Sequence, residues 1–235
     1  MREAEGSAEV AGTWNPESVM NESERGNGRP ARLSRGFILR LASELMVIFV
    51  GVYGAFWVER YRQELEDRDR ATTILEALAR EIGNVASNGP FVRDAMASAL
   101  SAYDSAVARG IRAQPAFYRE PGAETPSISV WEATVASGGV NLLDPQLFYT
   151  LAEFYNRVES FSQRYLRYNQ VTEQEVLPRL SIGAEAFYDP LSGELDPVFE
   201  VHMDQLRTLH HEAEQVINRA EALVQVVQAE AERLH

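Results

Sequence analysis

The chain has 235 residues with 22 basic and 35 acidic side chains, so its net charge is −13, and every basic residue is an arginine. A surface this acidic argues against nucleic acid as a partner, and the absence of cysteine excludes disulfides and thiolate metal sites. A hydrophobic content of 45% is enough for one or two packed domains, and arginine without lysine reads as high-GC bacterial coding bias, not as a binding site.

Residues 1–35 are rich in Gly, Ser, Asn, Glu and Pro, with few periodic apolar positions. Such a segment cannot bury enough surface to offset its ordering entropy, so a disordered tail is expected. Arg25, Arg29, Arg32, Arg35 and Arg40 then lead into the apolar run Leu41–Val58. The 14 residues from Leu45 to Val58 are uncharged. At about 1.5 Å per residue they span only about 21 Å, short of a hydrocarbon core of about 30 Å. Starting the helix at residue 36 supplies the length, with Arg40 snorkelling to the headgroups and Tyr53 and Trp57 toward the far interface. Residues 36–58 are therefore predicted to form one transmembrane helix. A cleaved signal peptide and a buried core helix are the alternatives. Val52-Tyr53-Gly54 is a poor cleavage pattern for the first, and apolarity on all sides disfavours the second.

Arginines also follow the run (Arg60, Arg62, Arg68, Arg70), so the positive-inside bias is slight. With no earlier export signal in the sequence, the simplest topology is a signal anchor in the bacterial inner membrane. The tail is then cytoplasmic and the body (residues 59–235) periplasmic.

Within the run, Glu44 is costly to place in lipid and is expected to face protein, water or the headgroups. It shares a helical face with Ile48, Gly51, Ala55 and Val58, and Gly51 and Ala55 form a small-x-x-x-small pair. Two readings stand: Glu44 paired with Arg40 at the interface, or a contact face (Glu44, Gly51, Ala55) against a second copy or another membrane protein. Gly51→Leu should hold two such helices apart; undiminished association of that variant in a membrane two-hybrid assay would remove the contact reading.

No Gly or Pro occurs from Phe56 to Glu81, and Leu65, Ala71, Ile74 or Leu75, Leu78, Ile82 and Val85 recur at helical spacing. The membrane helix is expected to continue as a charged stalk, ending near Ser87-Asn88-Gly89. Pro90 should open a second helix to about Arg109, with Gly110 as its stop. Residues 111–126 read as loop. Ser129 and Glu132 make an S-x-x-E capping box for a short helix through Trp131 that stops at Gly138-Gly139.

Asp144-Pro145 is the next start signal, for a long helix to about Leu177. Leu147, Leu151, Phe154, Val158, Phe161, Tyr165 and Tyr168 form its stripe, widened by Phe148 and Tyr155. Pro178 interrupts, and residues 179–195 read as loop. Asp196-Pro197 starts the last helix, which carries three apolar rows, led by Leu206, Leu209 and Met203. Three rows per heptad suit a globular bundle face. No stretch alternates as a strand does. The fold class predicted is all-α, an antiparallel helical bundle on a stalk.

The chain resembles a broad set of uncharacterised bacterial single-pass membrane proteins. The likeness rests on Glu44, Gly51, Ala55, Trp57 and the ERYRQE stretch from Glu59, and on the stretch from Trp131 to Val158. It implies membrane anchoring and a helical body, and brings no activity with it.

For chemistry, His202 and His210 can share a helical face near Glu200, Asp204 and Glu212, but no H-E-x-x-H occurs. His210 falls in an apolar row and reads as a core or boundary histidine. No nucleophile elbow or phosphate loop stands out, so no catalytic residue, metal or cofactor is assigned. The aromatics of the 145–177 helix are read as core, with a ligand pocket between helices as the rarer outcome. The expectation is a membrane-anchored binding, sensing or scaffold module and not an enzyme. Its partners are the bilayer and a second copy or membrane protein met through the transmembrane helix. The alternative is an enzyme or metal-dependent hydrolase on the same anchor.

Overall fold

In the computed structural model the described residues are 35–119 and 125–234; the expected disorder of the tail lies outside them. The chain divides into two compact units after Ala55. The first helix, α1 (Arg35–Ala108), contains the apolar run. From Leu41 to Val58 every side chain is exposed, which is at odds with a buried core helix. Among the described residues this is the one helix long and apolar enough to cross a membrane.

The expected break at residues 87–90 does not occur: Pro90 lies inside α1. Proline removes the N–H that would bond the Ala86 carbonyl and crowds the residue before it. That residue is Gly89, with no Cβ to clash. Both arms of the helix are also held by packing, since Leu78, Ile82 and Val85 before the proline and Met96 and Leu100 after it are buried in one apolar cluster. Packing of this kind outweighs a local helix-breaking signal. Glycine at 89 has a second reason: a Cβ there would lie 2.5 Å from Ile217 Cγ1. The helix stops where expected. Gly110, at φ +74°, donates to Val107 O, and the Ile111 N–H reaches Ala106 O, a Schellman closure.

After a loop come α2 (Ser129–Ala136) and a 3-10 turn (Gly139–Leu142). Asp144 caps α3 (Pro145–Val171) as its sequence signal predicts, its carboxylate accepting from Gln146 N at 2.8 Å and Leu147 N at 3.1 Å. The seven predicted stripe positions of α3 are buried, as is Tyr155. The helical backbone then widens into a π turn (Thr172–Val176) and continues through Pro178 as α4 (Leu177–Leu180). Pro178 thus falls in the first turn of a helical segment, where its missing N–H is tolerated.

The stretch read as loop holds a 3-10 turn (Ala184–Phe187) and an isolated antiparallel bridge between Tyr188 and Leu195. The last helix, α5 (Pro197–Leu234), buries Leu206, Leu209, Met203, Ala213, Val216, Ile217, Ala220, Leu223 and Val227, from all three predicted rows. Residues of α1, α3 and α5 share the main core, while Val176, Phe187 and Phe199 form a smaller one. The fold class is all-α.

Candidate functional site

The capping box expected for α2 is not formed. Ser129 is the first helical residue, Ile128 stands at the cap with no side-chain bond, and Glu132 is exposed. The partner of this helix start is Glu81, carried by the buried face of α1 beside Leu78 and Ile82 and itself only 7% exposed. Its Oε1 accepts from Ser127 Oγ at 3.0 Å, Val130 N at 3.1 Å and Ser129 Oγ at 3.5 Å. Its Oε2 accepts from Tyr155 Oη at 3.0 Å and Trp131 N at 3.4 Å. A full negative charge at a helix N-terminus satisfies the orphan N–H groups and meets the positive end of the helix dipole, which a serine hydroxyl does less well. Burial, and then the adjacent Glu81 charge, push the Tyr155 phenol upward, so it stays a neutral donor. The Trp131 ring lies flat on Tyr155 (5.0 Å, 5°) and stacks on Phe148 (5.8 Å), clamping α2 to α3.

Five donors on two carboxylate oxygens use up the roughly four lone-pair sites available. Both oxygens of Glu81 are thus engaged in holding the start of α2 and its contact with α3. Glu81 also belongs to the wall of a cavity of about 430 Å³ bounded by α1, α3, α5 and, from the loop before α2, Tyr118, Thr125, Pro126 and Ser127. That volume falls in the range of small-molecule sites. The apolar part of the wall is Val85, Val92, Phe161, Val216 and Ile217, with Tyr118 and Tyr165 beside them. Asn84 and Asn88, both exposed, stand where the wall meets solvent. Among the described residues, no arginine or histidine lines the cavity. Tyr165 is 5% exposed, stacks on Phe161, and its hydroxyl is buried without a hydrogen-bond partner. A buried hydroxyl left in that state costs about 1–3 kcal/mol.

The histidines separate. His202 is a core residue, 1% exposed and stacked on Tyr168 at 4.5 Å, whereas His210 stands at the boundary. It shares a 2.8 Å hydrogen bond between Nε2 and Thr172 Oγ1, and its Nδ1 has no partner. Burial alone lowers its pKa to about 4. Burial likewise pushes the Tyr168 phenol up to about 12, while its oxygen accepts from Tyr118 N at 3.1 Å. His210 is half-buried and His211 exposed beside Gln215. Of the acids near them, Glu212 pairs with Arg164, Asp204 with Arg207, and Glu200 is exposed. Among the described residues, no three histidine or acidic side chains come together as a metal site.

Glu44 lies 3.4 Å from Arg40 across one helical turn, both exposed. Gly51 and Ala55 are exposed too, and a Cβ on Gly51 would meet nothing within 4 Å.

Sequence reasoning missed Glu81. The available signal was an acidic residue on an otherwise apolar face between Leu78 and Ile82, which calls for a buried partner. No known protein family, curated protein or solved structure matches this chain.

Proposed function

We propose that the chain is a single-pass membrane-anchored module whose helical body binds a small molecule, acting in binding or sensing and not in catalysis. The cavity beside Glu81 carries this reading: it is sized for a ligand and walled mainly by apolar side chains. The body is read as an antiparallel bundle. In support, the ion pairs Glu153–Arg219 and Arg164–Glu212 link α3 and α5 in opposite sequence order. Gly83 and Gly89 likewise face Val224 and Ile217 in opposite order.

The exposed run Leu41–Val58 serves as a signal anchor in a bacterial inner membrane, with the body on the far side from the arginine-flanked tail. Alkaline phosphatase fused after residue 235 should be active in intact cells, and a cytoplasm-dependent fluorescent protein at the same point should be dark. The reverse pattern would invert the topology. For binding, native mass spectrometry of the full chain released from lipid nanodiscs should show a bound small molecule. Ala213→Phe, which fills the cavity, should lose it. Equal adducts on both proteins would place the molecule elsewhere.

A further inference from the structure

We propose that His202 is an acid-sensitive latch: a proton on its imidazole releases the corner of the body formed by the π turn (Thr172–Val176), α4 and the segment up to Asp196, while the main core stays closed. The geometry around the ring carries this. Thr172 Oγ1 has one hydrogen and donates it to Tyr168 O at 3.0 Å, so it accepts from His202 Nε2–H at 2.8 Å. The bare nitrogen is then Nδ1, which is buried and has no partner. A proton added there creates an N–H without an acceptor and an unpaired charge in an apolar site, a state that only water can relieve.

No charged group offsets it. The titratable side chain against the ring is Tyr168, a neutral phenol because burial holds it up at about 12. On the neighbouring turns, Glu173 pairs with Arg119, Glu175 with Arg179, and Asp104 and Asp204 with Arg207, while Glu200 is exposed. Burial is the sole cause of the lowered His202 pKa, so none of these charges acts on the ring.

Relief comes from parting the π turn from α5, and the corner can part by itself. It has its own core of Val176, Phe187 and Phe199. Its ties to the 109–119 segment include the exposed ion pairs Arg112–Glu185 and Arg119–Glu173, which contribute little, and the bond from Tyr188 Oη to Ala113 O. The π turn also interrupts the α-helical ladder between α3 and α4, so the two need not move together. On the topology proposed above the body meets the pH of the medium, but the latch does not depend on that reading.

The test is hydrogen exchange of the full chain in lipid nanodiscs at pH 7 and 4.5, read by mass spectrometry and corrected for the intrinsic pH dependence of exchange. Peptides covering 172–196 should lose about fiftyfold in protection, the one-proton shift expected when the open form titrates at 6.5 and the closed form at about 4. Peptides covering 147–165 and 206–227 should keep theirs. His202→Gln, which retains a donor for Thr172 and takes up no proton, should show no such loss, with circular dichroism confirming that it is folded. Loss spread evenly over the body would overturn the latch, since His202 would then weaken the fold as a whole. Equal loss in His202→Gln would assign the effect to another group, and undiminished protection in the wild type would mean that the closed form holds the proton; either result overturns the latch too. Should His202→Gln fail to fold, the wild-type profile decides. Protection of 172–196 that is flat above pH 6.5 and falls by up to about tenfold per unit toward pH 4.5 supports the latch, and any other shape overturns it.

Discussion

Glu81→Ala should lower the thermal midpoint of the full chain by about 6–12 °C, whereas Glu132→Ala should leave it within about 1–2 °C. The expectation follows from the donors that Glu81 satisfies. Removing the carboxylate leaves Val130 N, Trp131 N and the Tyr155 hydroxyl facing an apolar gap. Hydrogen bonds to a charged group contribute about 1.5–3 kcal/mol each, and orphaned donors cost about 1–3 kcal/mol. Even with relaxation and water entry, a loss of at least about 3 kcal/mol is expected, and a domain of this size shifts by about 2–4 °C per kcal/mol.

Glu81→Gln should fall between, because the amide keeps one acceptor oxygen and turns a donor toward the others. Hydrogen exchange at Ser127–Ala136 should rise in Glu81→Ala before the rest of the body opens, since α2 has no side-chain cap of its own. If Glu132→Ala is instead the more damaging change, the capping box operates in solution and the Glu81 tie does not.

The second large effect is pH-dependent and resides at His202. Its neutral form is favoured in the folded chain, with a pKa lowered from 6.5 to about 4 by burial against Tyr168 and Thr172. In the unfolded chain it titrates at its ordinary value, so between pH 6.5 and 4 the unfolded state holds more protons. Stability is then fully present above pH 6.5, declines as pH falls, and shows no further loss from this group below about 4. The difference amounts to at most about 3 kcal/mol. In denaturant titrations followed by tryptophan fluorescence, the wild type should therefore lose more stability between pH 7 and 4.5 than His202→Gln, which does not titrate. Parallel pH profiles for the two proteins would mean that His202 is accessible to protons in the folded chain.

The elements most legible in the sequence are those whose signals are local. The apolar run 41–58, the Asp144-Pro145 start of α3, the Gly110 stop of α1 and the rows of α5 each rest on spacing or on one residue's backbone preference, and the structure contains all of them. Local signals failed where a distant group competed. Pro90 does not end α1, because the two arms are buried in the same core and Gly89 removes the clash. The capping box at Ser129 yields to Glu81, 48 residues earlier, because a carboxylate is the stronger acceptor at a helix N-terminus.

Of the two histidines on one face of α5, the apolar row singled out His210, yet His202 is the one in the core. Thr172, at the start of the π turn, bonds to His202, while His210 is half-buried. A pocket lined by the aromatics of the 145–177 helix was only the rarer reading of the sequence, and Phe161 and Tyr165 do line the cavity. Val85, Phe161, Tyr165 and Ile217 each read as ordinary core positions, since periodicity records which residues point inward. Whether the inward-pointing side chains meet or leave a gap depends on how closely three helices approach, and that distance is set by tertiary packing alone.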